Sequence, residues 1–557
     1  MVLAMLTICL FCAVSGSGAA DRPDEMEGRE RGRARTAALQ RRMHEGRAAK
    51  ANAWAKARRA GMRTRGVRGR VFYELVGFEN GTPLYYETYN ENAAISTAAN
   101  LLQILPYNLT ASGVIVGVWD AGNVRRTHQE FGGLNSRVVR RNSEPNNPHA
   151  THVAGTIAAA GVVAQAKGMA PGATIWSYFM GAFGTSDHAQ MEMVAATAPG
   201  QSDRLYLSNH SYGYSCGWVW YDSTSPEWVG RNLTPARDEK FGRYGPVAAA
   251  WDDVCYNAPY FLPFKAAGND RDDAAPMVGQ LFYRWESFGM QVQRVWYAYN
   301  PSVHPPADGA WLGGYDTVPD VSTAKNVMTV GAVEAAVSGF MRDPTRASVA
   351  SFSAWGPTDD GRIKPDIVAS GVSLYSPGWY NLVEPNNPLY VAESDFSYNV
   401  QSGTSMAAPN ASGSAALLVE LYGRLFPGQA MLSSTLKALI IHTADDLGNA
   451  GPDYVYGWGL MNAKAAADVI ALHRQEPLAK TIYEGVLSGW DNVHYYTFIR
   501  ENNSDVRVTL CWTDPAGTPT LAADDPSPRL VRDLDLRVVD SSGTLGWPYV
   551  LDRTNPN

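Results

Sequence analysis

Between residues 112 and 471, short apolar runs alternate with alanine-rich stretches of helical length, and few folds accept that alternation. VIVGVWD, TIWSYFM, RLYLSNHSYG, YFLPFKAAGN and VMTVGAV are too brief for helices and read as strands buried in a parallel sheet. HVAGTIAAAGV, PVAAAWDDVCYNA and SMAAPNASGSAALLVELYGRLF read as the helices between them. The pattern implies a doubly wound α/β domain over residues 93–471, with chemistry expected at the carboxyl ends of its strands.

The 557 residues exceed what one hydrophobic core sustains, so further units are expected. Residues 1–20 read as a signal peptide: Val2 to Val14 is apolar but too short to span a bilayer, and small residues follow from Ser15 to Ala20. This places the protein outside the cell or on its surface, without stable membrane insertion. Residues 21–92 form a basic, leader-like region. From Asp21 to Arg70 there are 16 Lys and Arg against 6 Asp and Glu, whereas the whole chain carries a net charge of -7. That balance argues against nucleic acid as a partner. RVFYELVGF and PLYYETYN, around the turn ENGT, read as a hairpin, a reduced form of an inhibitory propeptide. From Leu472 strands follow one another without helices, which predicts a β-sandwich, jelly-roll-like domain over 472–557 with too few strands to close, and hence a chain that continues further. Cys216 and Cys255 either bridge or stay as buried thiols.

Three segments put the groups of a nucleophilic triad at the ends of predicted elements. Asp120 ends a strand, His149 opens a helix and Ser405 opens another. A serine hydroxyl is too weak an acid to attack an amide at neutral pH, so an imidazole must take its proton, and a buried carboxylate must orient that imidazole. The oxyanion that forms needs N–H donors already in place. Ser405 at a helix N-terminus offers its own, and Asn269 at a strand end offers a side-chain amide.

These residues resemble the subtilisin family of serine proteases. The likeness runs in order through the Asp120 segment, HATHVAGT (149–156), GMAPGA (168–173), SYG (211–213), AAGN (266–269), VMTVGA (327–332), FSAWGPTDDGRIKPDIVASG (352–371), GTSMAAP (403–409) and YGWGLMNAKAA (456–466). It implies a three-layer α/β/α fold and a serine endopeptidase working through Asp120, His149 and Ser405, with Asn269 completing the oxyanion hole. Ser211, Tyr212 and Gly213 would be an edge strand that pairs with the main chain of protein or peptide substrates, flanked by Ala266, Ala267 and Gly268. No cofactor is required for the chemistry. By likeness to family members with a C-terminal β-domain, structural calcium is possible, with Asp533 and Asp535 as candidates.

Ala150 stands where the family usually has glycine; its methyl would either crowd the site or favour the helix. If it disables the site, the alternative is a scaffold that only binds proteins or surfaces. The aromatic stretch QLFYRWESFGMQVQRVWYAYN reads as a satellite packing unit, with extra subsites as the alternative. His152 is expected to be packed behind the site and His128 to be exposed on its loop. HATH lacks the spacing and glutamate of a zinc helix, and GTSMA lacks the final glycine of an esterase elbow.

Overall fold

The computed structural model describes residues 90–556 apart from 181–186, 221–224, 289–290, 380–391, 476–480, 488–491 and 500–504. Before residue 90 it describes residues 56 and 59 and the strands 4–13, 65–68, 71–79 and 82–87. The middle of the chain forms a seven-stranded sheet of β1 (Ile115–Asp120), β2 (Val138–Arg140), β3 (Thr174–Phe179), β4 (Leu207–His210), β5 (Leu262–Ala266), β6 (Met328–Val333) and β7 (Ile367–Ser370). All neighbours are parallel, in the order β7-β6-β5-β4-β1-β3-β2. The winding reverses between β1 and β4, which opens a crevice beyond their carboxyl ends.

Helices cover both faces, so the sheet is the middle of three layers. α1 (Pro148–Ala158), α3 (Thr404–Leu425), α4 (Ser433–Thr443) and α5 (Ala463–Gln475) share one core with Val116, Val118, Phe264 and Val330 of the sheet. α2 (Pro246–Asn257) packs with Trp119, Tyr178 and Leu205 in a second core. Small residues set the close approach of α3 to its neighbours. A Cβ at Gly413 would lie 2.9 Å from Met169 Cβ and 3.2 Å from Ile157 Cα.

The aromatic insert forms the antiparallel hairpin Leu281–Phe288 and Gln291–Ala298, whose sheet continues through Pro226–Trp228 to Trp218–Trp220. Trp218, Trp228, Phe282 and Tyr299 give this sheet a core of its own, as a satellite unit requires. Val71–Glu79 and Thr82–Glu87 pair antiparallel, as the hairpin reading expects. Cys216, Cys255 and Cys511 are buried and free, which settles the thiols against a bridge.

Past α5, β8 (Ile482–Leu487) and β9 (Asp505–Thr513) flank the backbone of Ala4–Ala13 in a three-stranded sheet. Ile482 and Cys511 join the main core. After β9 the chain straps back over the α/β body. Asn326 Nδ2 donates to the Asp514 carbonyl at 2.7 Å, the Asp514 N–H donates to Asn326 Oδ1 at 2.9 Å, and Lys325 Nζ donates to the Arg529 carbonyl at 3.0 Å. Among the described residues this region adds one more short hairpin, Val538–Val539 with Leu545–Gly546, and not a second facing sheet.

Candidate active site

Asp120 is the last residue of β1, at the crevice, and its side chain is 2% exposed. His149 Nδ1 lies 2.9 Å from both of its carboxylate oxygens. The helix start holds the imidazole there. The Asn147 side chain caps α1 by accepting from the His149 and Ala150 N–H groups at 2.8 and 3.1 Å, and Pro148 occupies the first turn, where its missing N–H costs nothing. Burial pulls the His149 pKa down, but attraction to Asp120 and the hydrogen bond to it outweigh burial, so the net shift is upward from 6.5. The arrangement holds Nδ1–H toward the carboxylate and leaves Nε2 as the basic nitrogen.

Ser405 sits in the first turn of α3, where no preceding carbonyl exists for its N–H. Its hydroxyl donates to the Ser211 carbonyl at 3.1 Å, and the Ser211 hydroxyl donates to the Ser405 carbonyl at 2.8 Å. The second bond has a cause in the sequence. Pro409, four residues on, lacks the N–H that would otherwise take the Ser405 carbonyl, so that acceptor is free for Ser211. A proline inside a helix thus ties the helix bearing Ser405 to the segment that follows β4.

Asn269 follows β5 and is positioned through its oxygen. Oδ1 accepts from the Thr404 N–H at 2.8 Å and the Thr404 hydroxyl at 2.9 Å, which leaves the Nδ2 donors for another acceptor. The Gly268 N–H donates to the same threonine hydroxyl at 3.2 Å. Gly268 has φ +119, and a Cβ there would stand 2.7 Å from Pro319 Cδ, so the approach to Asn269 accepts no side chain. Ala266 ends β5, and the Ala267 N–H donates to the Val330 carbonyl at 3.0 Å.

Ser211, Tyr212 and Gly213 continue from β4 without being a strand, because a strand needs a ladder partner and they have none in the sheet. Tyr212 leans on buried groups: its hydroxyl lies 2.9 Å from His210 Nδ1, and Lys265 Nζ lies 5.0 Å from its ring centroid.

Ala150 is fully buried in the main core, so its methyl belongs to the helix packing. His152 is buried and neutral, with Nε2 3.0 Å from the Leu374 carbonyl, and burial lowers its pKa to about 3. His128 departs from expectation. It is fully buried, with Nε2 2.9 Å from the Ser397 carbonyl and Nδ1 accepting from the Glu130 N–H at 3.3 Å. A turn that folds back under another loop buries its residues, which local sequence does not reveal. Asp533 and Asp535 are exposed, and Asp535 lies 3.5 Å from Arg537. Thr404 brackets Asn269 to α3, a role that the sequence signals only by its place beside Ser405.

A family model described as the subtilase family matches residues 77–459. A serine protease/ABC transporter B family protein, tagA, of Dictyostelium discoideum is 28% identical over 211 residues, 34% of this chain and 11% of that protein. Serine protease AprX of Bacillus subtilis is 34% identical over 152 residues, 27% of this chain and 31% of the relative. An extracellular serine protease of Serratia marcescens is 45% identical over 69 residues, 12% of this chain and 6% of that protein. The matches therefore span at most about a third of these relatives.

Proposed function

We propose that this chain, which belongs to the subtilase family, is an exported serine endopeptidase that cleaves protein and peptide substrates through an acyl-enzyme on Ser405. The observation that carries the proposal is the His149 imidazole held 2.9 Å from a buried Asp120 carboxylate, at the crevice where α3 presents Ser405. Attack begins when the Ser405 hydroxyl turns from the Ser211 carbonyl toward His149 Nε2. Oγ bonds to the substrate carbonyl carbon as Nε2 takes the proton, and Asp120 stabilises the imidazolium without accepting that proton. The Ser405 N–H and the Asn269 Nδ2 donors receive the oxyanion, worth about 3 to 4 kcal/mol per side-chain donor, a magnitude measured on subtilisin. The C–N bond then breaks as His149 protonates the leaving amine. Water, activated by the same imidazole, hydrolyses the ester and restores Ser405.

The segment 211–213, unpaired on its outer side, supports recognition of substrate main chain. Export rests on the apolar run at Val2–Val14 and the small residues after it, and on the resemblance to an enzyme described as extracellular; removal of this segment would take the strand Ala4–Ala13 out from between β8 and β9. No described helix is long and apolar enough to cross a membrane. The basic region and the hairpin at 71–87 would act as a propeptide, removed on maturation.

Casein hydrolysis by the full chain beside Ser405→Ala, with mass spectrometry of the N-terminus, reads activity, its dependence on the nucleophile and the processing site together. Equal rates for the two proteins would overturn the proposal in favour of a binding scaffold.

A further inference from the structure

Asp316 lies ahead of β6, Asp359 in the TDDGR loop before β7, and Asp524 in the strap after β9, yet one carboxylate oxygen from each comes within 4.8 Å of the others. Asp316 and Asp359 are 6% and 5% exposed. The Arg237 guanidinium faces all three: it lies 2.5 Å from Asp316 Oδ2 and 3.5 Å from Asp359 Oδ1, and it pairs with Asp524. Even so, Asp316 Oδ1 and both Asp359 oxygens accept no hydrogen bond. Arg553 adds a second positive charge near Asp316 and donates to the Asp359 carbonyl at 2.5 Å. Gly242 backs the cluster, and a Cβ there would fall 2.1 Å from Asp316 Oδ1 and 2.4 Å from Asp359 Oδ1, so no side chain from this position supplies the missing donors.

A buried carboxylate oxygen without a partner is costly, and three carboxylates outnumber the two guanidiniums, Arg237 and Arg553, whose charges reach them. An all-oxygen set selects a hard ion. Calcium, which tolerates irregular geometry, suits such a set better than magnesium, which demands an octahedron.

We propose that Asp316, Asp359 and Asp524 hold a calcium-class divalent cation opposite Arg237, and that this ion clamps the C-terminal strap to the α/β body. Two of the ligands come from loops that flank the sheet and the third arrives about 165 residues later in the chain, so the ion closes a long loop. The site does not involve Asp533 or Asp535.

The test uses the full chain stripped with EGTA and titrated with calcium chloride alone, with the Ser405→Ala background preventing self-digestion. Calcium is expected to raise the melting temperature by about 5 °C, as occupancy well above Kd does, and Asp524→Asn to lose one bound equivalent or at least tenfold in affinity. Asp524 is largely exposed, so its variant folds whatever happens to the buried pair. Asp359→Asn adds a sign reversal: it melts no lower than the parent in EGTA, where a surplus charge has been removed, and lower in calcium. Calcium binding left unchanged by both variants, or the absence of a calcium-dependent melting shift in the parent, overturns the proposal.

Discussion

Two acidic corners of this molecule treat their carboxylates in opposite ways. At the end of β1, Asp120 is buried but faces the His149 imidazole with both oxygens and accepts the Ala121 N–H at 2.7 Å. At the strap, Asp359 is equally buried and accepts nothing. The first corner is complete with protein groups alone, and its polar atoms serve to orient an imidazole. The second leaves buried carboxylate oxygens without a hydrogen bond even beside Arg237. Burial by itself does not tell the two corners apart; the partner of each oxygen does.

The largest effect expected at the complete corner is loss of about 10⁶-fold in kcat for Ser405→Ala, with an unchanged melting curve. Asp120→Asn follows at about 10⁴-fold, since the amide favours the wrong imidazole tautomer; both magnitudes were measured on serine proteases, subtilisin among them for the first. Asn269→Ala is expected to cost about 10² to 10³ in kcat with little change in KM, as read by steady-state kinetics on a peptide amide. A comparable loss in KM instead would make Asn269 a substrate-binding group and break the parallel with Asp120 as a preset element.

The pH profile gives a tenfold fall in kcat/KM per unit below the free-enzyme pKa of His149, which lies above 6.5 because Asp120 favours the imidazolium. The same shift affects stability with a fixed sign: the protonated pair contributes fully below the unfolded value of 6.5, and that contribution is lost as pH rises through the folded value. Replacing Asp120 with Asn should return the His149 titration, followed by NMR, to lower pH. The smallest effect is at Pro409→Ala. It restores an N–H that competes with Ser211 for the Ser405 carbonyl, and loss of one neutral hydrogen bond, about 1 kcal/mol, corresponds to about fivefold in kcat.

Much of the first corner was legible in the chain. Asp120, His149, Asn269 and Ser405 each stand where a predicted strand ends or a helix starts, and such boundaries carry turn, cap and proline signals that are local. The alternation of elements also led to the parallel sheet. The second corner was not legible, because Asp316, Asp359 and Asp524 lie in loops with no periodicity, and only tertiary folding brings them together. The same limit explains His128, which its own segment marks as a loop residue and which Ser397, far along the chain, covers. The strands after Leu472 were readable one by one, but their pairing with Ala4–Ala13 was not, since register between distant strands leaves no local mark.

The missing N–H of Pro409 carries a mechanical consequence. Because the Ser211 hydroxyl takes the Ser405 carbonyl that this imino acid leaves open, the start of α3 stays tied to the segment 211–213 whichever way the Ser405 hydroxyl turns. A peptide lying along residues 211–213 would then keep its distance from the attacking oxygen through thermal motion, so alignment is inherited from docking and needs no separate search.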